Sequence, residues 1–529
     1  MHKVGRMPRS FNIAGPCHPD RNYMIPAVER LPEARILVEQ GLYFVVHAPR
    51  QTGKTTLLHM LAAELTATGK FAAIPFSCEA GSAAREDYAA AQRAILDDMR
   101  RRAEGVLPPE LHPPAWPEAS SLGLLAAALD AWAEACPRPL VLFFDEIDSL
   151  EGSSLEAVLR QLRAGYADRP ARFPASVVLC GMRDVRDYKR ASGGGPVRFG
   201  SASPFNIMVA SLRLDNFSPA EVRALYAQHT AETGQKFTDA AVARAAEVTG
   251  GQPWLVNALA REVVVKMAVP PSEAITEEHI GIARERLIRA RATHLDSLAA
   301  RLTEPRVRRI IEPILAGDVV DTGEGYDDDV EYVHDLGLIT RSGVLDIANP
   351  IYREVIARVL AVPVENQIQP ASYTLPDGRL SMKRLLDGFI AFWQEQGEAL
   401  LGPLPYHEVA PQLVLMAFLQ KVVNGGGTID REFGLGRRRI DLLIRWPYAG
   451  PGGRKEVQRE ALELKVWRKG EKDPLAQGRA QLDGYLELLG LDEGTLVIFD
   501  RRPRGRAGRK PTVGRAKTPT GRKVTVVRV

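Results

Sequence analysis

Apolar residues along the chain cluster in three short runs, each closed by small or polar residues. "LYFVVH" (42–47) passes into a tight loop and then into "KTTLLHMLAAEL", an amphipathic helical pattern. "PLVLFFDEIDSL" holds five apolar residues from Leu140 to Phe144, which fits a central parallel strand buried on both faces. "ASVVLCGMRD" is a third such strand. Downstream the period changes. "FSPAEVRALYAQHTAETG" and "TDAAVARAAEVTGGQPWLVNALAREVV" carry Ser or Thr N-cap signals and helical spacing. They are expected to form a helical lid.

The middle of the chain reads as helix, helix, short strand pair, helix. "VRRIIEPILAGD" leads to a helix ending at Gly337, a strand pair around "RSGVLDIAN", and "PIYREVIARVL". That order suggests a winged helix. Such modules bind DNA, but the presumed recognition segment "DDDVEYVHDLG" is acidic, which favours packing against the lid.

Near residue 366 the character shifts to a polar, Pro- and Gly-containing linker, "ENQIQPASYTLPDGRLS". Helices follow in "MKRLLDGFIAFWQEQ" and "YHEVAPQLVLMAFLQKVV", then a triple-glycine break at 425–427. A hairpin is expected next, with "RRRIDLLIRW" as first strand, "PYAGPGGRKEVQ" as turn and "REALELKVW" as second strand. Glu463 and Lys465 leave one face of that second strand, and Leu462, Leu464 and Val466 leave the other. A helix, "DPLAQGRAQLDGYLELLG", and a strand, "GTLVIFDR", complete the unit.

The expected division is an N-terminal segment (1–30), a parallel-sheet core (31–215), a lid (216–290), a winged-helix-like domain (291–362), a linker (363–379) and a C-terminal α/β domain (380–529). A length of 529 residues is too great for one core and suits two to four domains.

Composition changes this picture little. Charged residues make up 25% and apolar residues 45%, as in ordinary globular proteins. No run of about eighteen apolar residues suggests a membrane span, and the N-terminus lacks the apolar core of a secretory signal. Cys17, Cys78, Cys136 and Cys180 are scattered without a C-x-x-C pair, which suits a reducing cytoplasm. Charge is uneven. Eleven Lys or Arg and no Asp or Glu lie between Arg501 and Val529, so the remainder carries −7 against +4 for the whole chain. This basic stretch is either a solvated loop between strands or a phosphate contact.

Two groups of residues carry candidate chemistry. The loop Ala48, Pro49, Arg50, Gln51, Thr52, Gly53, Lys54, Thr55, Thr56 is a Walker A sequence with Ala in place of the first Gly. Its backbone N–H groups and helix N-terminus would cradle the β-phosphate of ATP, Lys54 would reach the β/γ oxygens, and the Thr55 hydroxyl would ligate Mg²⁺. Asp145, closing the second apolar strand, can bind the Mg²⁺ through water, and Glu146 is placed to polarise the attacking water. Asp148 serves equally as a helix N-cap. In the second group, pairing through the hairpin brings Asp441 beside Glu463 and Lys465. Two carboxylates with a lysine make a hard-oxygen site for Mg²⁺ or Mn²⁺, in which Lys465 positions or deprotonates a water. The alternative is a solvated strand face.

These details resemble known families. The Walker loops, the strand ending in Arg183 and the Gly251-Gln252-Pro253 turn resemble AAA-like ATPases of the STAND class. That resemblance implies Arg183 as the sensor of the γ-phosphate and Pro253 as a lid contact beside the nucleotide; a structural role for Arg183 stays open. Arg186, Arg190, Arg198 and Arg213 are candidates for an arginine acting in trans, which would require neighbouring copies, hence an expected homo-oligomer. D-x21-E-x-K over Asp441, Glu463 and Lys465 resembles the PD-(D/E)XK nucleases, although Ile440 stands where their Pro is. Gln481 and Tyr485, one turn apart, resemble the Q-x3-Y pair of the RecB-type branch, and Glu408 resembles an acidic residue many members carry in the preceding helix. Glu408 and Tyr485 are alternatively plain structural polar residues.

The implied fold class is therefore multidomain α/β: a P-loop parallel-sheet core with lid and winged helix, then a restriction-endonuclease-like domain. The implied function is an ATP-dependent switch over a metal-dependent nuclease acting on nucleic acid, DNA in the first instance, as in a defence effector. The alternative is an oligomerising switch whose nuclease-like fold only binds nucleic acid or a protein. A processive motor ranks last, because helicase motifs are not evident.

Overall fold

The computed structural model describes residues 8–183, 207–290, 295, 298, 300–316, 327–340, 345–365, 373–401, 410–423, 426–435, 438–450, 454–500, 502 and 510–529. The chain divides into two compact units. One comprises residues 1–287, 327–344 and 348–350; the other comprises 288–326, 345–347 and 351–529.

In the first unit two short parallel strands, β1 (Ser10–Phe11) and β2 (Asn22–Tyr23), precede the main sheet. That sheet contains β3 (Tyr43–His47), β4 (Ala72–Ser77), β5 (Leu140–Asp145), β6 (Ser176–Gly181) and β7 (Met208–Arg213), all parallel, in the order β4-β5-β6-β3-β7. Helices α1 (Pro32–Glu39) and α2 (Lys54–Ala67) cover one face. Helices α3 (Tyr88–Val106), α4 (Leu124–Ala135) and α5 (Gly152–Ala164) cover the other. The continuous apolar runs follow directly. Tyr43 and Val45 join the α3–α5 cluster, while Phe44 and Val46 join the α1–α2 cluster, so neither face can be polar. Each such side chain contributes on the order of 2 kcal/mol by burial. The parallel packing brings the carboxyl ends of β3, β5 and β6 to one edge, where loops must carry the chemistry.

The lid pattern forms α6 (Pro219–Thr233), α7 (Asp239–Thr249) and α8 (Pro253–Arg261), then α9 (Glu277–Arg289). Ser218 and Glu221 close a reciprocal capping box on α6, and Thr238 caps α7 by accepting from Ala241 N–H. The stretch read as a winged helix supplies α10 (Pro305–Ala316), α11 (Asp328–Asp335) and α12 (Pro350–Glu365). Its expected strand pair is represented by one hydrogen bond, Ala348 N–H to Leu338 O at 2.9 Å; residues 341–344 lie outside the described residues. Among the described residues no helix is long and apolar enough to cross a membrane.

The second unit contains α13 (Met382–Leu401) and α14 (Ala410–Val423), then a six-stranded mixed sheet. Its strands are β8 (Thr428–Leu435), β9 (Arg438–Ala449), β10 (Lys455–Trp467), β11 (Glu493–Asp500), β12 (Thr512–Lys517) and β13 (Lys523–Arg528), in the order β12-β13-β11-β10-β9-β8. Helix α15 (Leu475–Leu489) connects the parallel pair β10 and β11.

Three local expectations change. The hairpin strands run further than their patterns suggest, pairing Ala449 with Lys455 and Pro447 with Val457. Pro447 is tolerated because β8 pairs with β9 only as far as Arg445, leaving its missing N–H on an unpaired side. "TIDREFGL", unassigned from the sequence, is strand β8. Part of the basic stretch is likewise ordered, as the edge strand β12 paired antiparallel with β13.

Candidate functional site

The first cluster lies where β3 ends. Ala48 is fully buried, and its N–H donates to Gly181 O at the end of β6. Ala fills the position of the missing Gly. The loop then turns through two left-handed residues, Gln51 (φ 61°) and Gly53 (φ 97°). A Cβ on Gly53 would meet no atom within 4 Å, so glycine answers a backbone requirement rather than a packing one. Thr52 Oγ1 donates to Pro49 O at 2.9 Å, and Lys54 Nζ spans the loop to Ala48 O at 2.7 Å and Pro49 O at 2.9 Å. The ammonium is thus held inside the curve of the loop. Arg50 is exposed.

Thr55 lies in the first turn of α2, and its Oγ1 donates to Asp145 Oδ2 at 2.7 Å. Asp145 is 5% exposed, and its other oxygen accepts the Glu146 N–H at 3.0 Å. A hydroxyl against a buried carboxylate is an all-oxygen donor pair suited to Mg²⁺. Glu146 adopts a left-handed backbone, φ 55°. Its Oε2 accepts from Ser77 Oγ at 2.6 Å. Desolvation of the carboxyl raises its pKa, and the Ser77 hydrogen bond opposes that rise. Ser77 ends β4, the neighbour of β5. Sequence reading missed it, since strand order is not visible in a linear chain. Asp148 accepts from Met182 N–H at 3.2 Å and so ties the end of β6 to this loop, where a helix cap was the alternative.

Arg183 is 7% exposed, and its guanidinium carbon lies 3.6 Å from the centroid of the Tyr332 ring. Pro253 is buried at the first position of α8. The preceding Gln252 caps that helix through Leu255 N–H, while its Nε2 reaches Gln51 O in the phosphate loop at 3.4 Å. The glycine before it has a steric reason: at Gly251, φ 69°, a Cβ would stand 1.9 Å from Phe217 O. Thr56 Oγ1 accepts the N–H of Cys17 at 3.0 Å, and Trp254 Nε1 donates to Ile13 O at 2.8 Å. The N-terminal segment therefore crosses from α2 to α8. Of the proposed trans arginines, Arg186, Arg190 and Arg198 lie outside the described residues. Arg213 ends β7 with its side chain 20% exposed and Asp215 3.7 Å away.

The second cluster is in the other unit. β9 and β10 pair antiparallel with Leu442 opposite Leu462, so the next step of the ladder sets Asp441 across from Glu463. Asp441 Oδ2 accepts from Leu464 N–H at 2.7 Å, and Lys465 Nζ donates to Glu463 Oε1 at 2.6 Å. Glu463 is 1% exposed. Burial and, after it, the charge of Asp441 push its carboxyl up to about 7, against the opposing pull of Lys465. Its second oxygen, Oε2, is buried with no hydrogen-bond partner among the described residues. Leaving a carboxylate oxygen unpaired in the interior costs on the order of 1–3 kcal/mol or more.

These side chains share the face that Ala461 and Leu443 present to Leu482, Tyr485 and Leu486 of α15. Tyr485 is 7% exposed there, and Gln481 carries a buried Oε1 without a hydrogen-bond partner among the described residues. Asp441, Glu463 and Lys465 are thus brought together, with Gln481 and Tyr485 on the helix packed over the same sheet. Glu408 lies outside the described residues. Among the described residues no group of three or more His, Cys, Asp or Glu converges on a point. Two carboxylates with an orphaned oxygen still fit a Mg²⁺ or Mn²⁺ ion that keeps several waters.

Residues 38–188 match the family model described as an AAA domain. No curated protein matches the chain. Among solved structures, a Walker-type ATPase of Pyrococcus abyssi is similar at 14% identity, covering 65% of this chain and 99% of that one, with a TM-score of 0.47. The RuvB Holliday junction branch migration motor of Thermotoga maritima is similar at 17% identity, with 62% and 93% covered and a TM-score of 0.33. Cdc6p of Pyrobaculum aerophilum is similar at 16% identity, with 64% and 94% covered and a TM-score of 0.34. With the family match falling on the strands, phosphate loop and acidic strand end described above, residues 38–188 are a P-loop ATPase domain of the AAA type.

Proposed function

We propose that ATP binding and hydrolysis at the P-loop site switch a metal-dependent nuclease in the second unit, with DNA as its substrate. One observation carries the nuclease half of this reading: among the described residues, Glu463 Oε2 is buried without a hydrogen-bond partner beside Asp441 and Lys465. A strand face built only for solvent would leave Glu463 exposed, and a purely structural ion pair would satisfy both of its oxygens.

Asp441 and Glu463 would hold Mg²⁺ or Mn²⁺, which supplies charge stabilisation at a phosphate and a more acidic water. The chain's own contributions are distinct. Leu464 N–H fixes the Asp441 carboxylate, and Lys465 places a cation within reach of the same centre. Gln481 offers a further polar group from α15. At the ATPase site Lys54 and the loop N–H groups bind phosphate, Thr55 and Asp145 would hold Mg²⁺, and Glu146, steadied by Ser77, orients water. Arg183 would meet the terminal phosphate.

The experiment is a cleavage assay on linear, circular and single-stranded DNA, with Mg²⁺ or Mn²⁺, with and without ATP. Asp441→Ala is expected to abolish cutting and to leave ATP hydrolysis within about twofold; Lys54→Ala is expected to abolish hydrolysis and change the ATP response of cutting. Cutting that survives Asp441→Ala sinks the nuclease assignment. ATP hydrolysis with no cutting of any substrate favours the second reading, a switch whose sheet domain only binds. The direct Lys465–Glu463 pair is the feature that suits that alternative.

A further inference from the structure

We propose that Tyr332 is a positioning residue for Arg183, and that through this pair the α11 segment reads whether the bound nucleotide carries its terminal phosphate. The inference rests on Arg183 being the residue that meets that phosphate.

At 3.6 Å between the guanidinium carbon and the ring centroid, Arg183 lies against the face of Tyr332. Stacking engages the flat face of a guanidinium and consumes none of its N–H donors, which lie in the plane. An arginine held this way has surrendered its rotamer freedom before any ligand arrives. Its location is equally defined. β6 adjoins β3 with Gly181 opposite His47, and Ala48 N–H donates to Gly181 O, so Arg183 stands two residues beyond the anchor of the phosphate loop.

The α11 segment meets the same loop at other points. A Cβ on Gly337, φ 74°, would lie 2.7 Å from Pro49 Cγ, an approach that glycine alone permits. An Asp335 oxygen lies 4.0 Å from Nδ1 of His47, the residue before Ala48. Burial lowers the pKa of Arg213 at the end of β7, and the charges of Asp215, then Asp335 and Glu331, oppose that fall. The acidity of "DDDVEYVHDLG" thus has a local counterpart, in His47 and Arg213. Contacts to the loop, the residue before it and the arginine beyond β6 all issue from one short segment, and Tyr332 is its member on Arg183.

The test uses the full chain with Mg²⁺, titrated with ADP and with a non-hydrolysable ATP analogue, alongside kcat and KM for ATP. Tyr332→Ala is expected to weaken the analogue about tenfold while changing ADP by less than about twofold. Tyr332→Phe, which keeps the ring, should behave as the original chain. Tyr332→Leu, which fills the space without an aromatic face, should behave as Tyr332→Ala and covers the case in which the smaller residue disturbs folding; intact ADP binding reports the fold. Arg183→Ala should lose the same discrimination, and adding Tyr332→Ala to it should cost little more. Equal losses for ADP and the analogue, or a Phe variant as impaired as Ala, would overturn the Tyr332 proposal. If Arg183→Ala itself leaves the preference unchanged, the reading of Arg183 fails, and the Tyr332 proposal with it.

Discussion

Ser77 shows how a single hydroxyl enters the chemistry from outside any motif. Its 2.6 Å hydrogen bond occupies one oxygen of Glu146, which leaves the other for the water-orienting role proposed for that residue. Ser77→Ala is expected to lower kcat for ATP about fivefold, with KM within about twofold, because binding groups are untouched. Steady-state kinetics check this, and a change confined to KM would contradict it. Glu312 poses a different residue-scale problem. Burial raises its carboxyl to about 7, Arg308 opposing, and its Oε1 has no hydrogen-bond partner among the described residues. Because the folded state holds this proton more tightly than the unfolded chain, its contribution is fully present below the ordinary carboxyl range. It is lost as pH rises toward 7. Glu312→Gln should therefore raise stability by on the order of 1 kcal/mol at pH 8, discounting for partial exposure, and by little at pH 4. Urea midpoints at the two pH values decide it; an equal gain at both would show that titration is not the cause.

At the scale of elements, two glycines of similar backbone make a controlled comparison. Gly251 (φ 69°) and Gly234 (φ 80°) both follow lid helices, yet a Cβ would strike Phe217 O at the first and nothing within 4 Å at the second. Gly234→Ala is expected to cost about 1 kcal/mol, a conformational penalty alone. Gly251→Ala should cost several times more, at least about 3 kcal/mol, and should loosen Gln252 from the phosphate loop. Thermal melts with and without ATP compare them, and similar shifts for both would refute the steric argument. Elements also show what a linear reading reaches. The apolar runs of β3, β5 and β6 were legible because a strand buried on both faces has no polar positions. The closeness of Asp441 and Glu463 was legible because a hairpin pairs positions about equally far from its turn, even though the turn is shorter than the twelve residues read for it. β8 was not legible: "TIDREFGL" alternates weakly, and its pairing comes from β9. Nor was Tyr332, whose partner lies far away in sequence and whose own helix, DDVEYVHD, carries no motif that points to an arginine.

For the whole molecule, the supported activity and the proposed one reside in different compact units, and the chain's charge divides similarly. The basic stretch beginning at Arg501 contributes β12 and β13 to the second unit. If that unit holds DNA, each phosphate contact it makes should add to the salt dependence of binding, with log K falling by roughly 0.9 per contact against log salt on duplex DNA. Replacing Arg515 and Lys517 of β12 with Gln should lower that slope by about 2 while hydrolysis of ATP stays within about twofold. An unchanged slope would return the stretch to the solvated-loop reading. The two units are also interleaved along the chain. Residues 327–344 and 348–350 belong with the ATPase, although 288–326 before them and 351–529 after them belong to the other unit. A gene truncated or fused at one junction anywhere in that interval leaves the ATPase without part of its own fold, or gives it a stranded piece of its neighbour's. A single cut within that interval therefore cannot separate the two units cleanly.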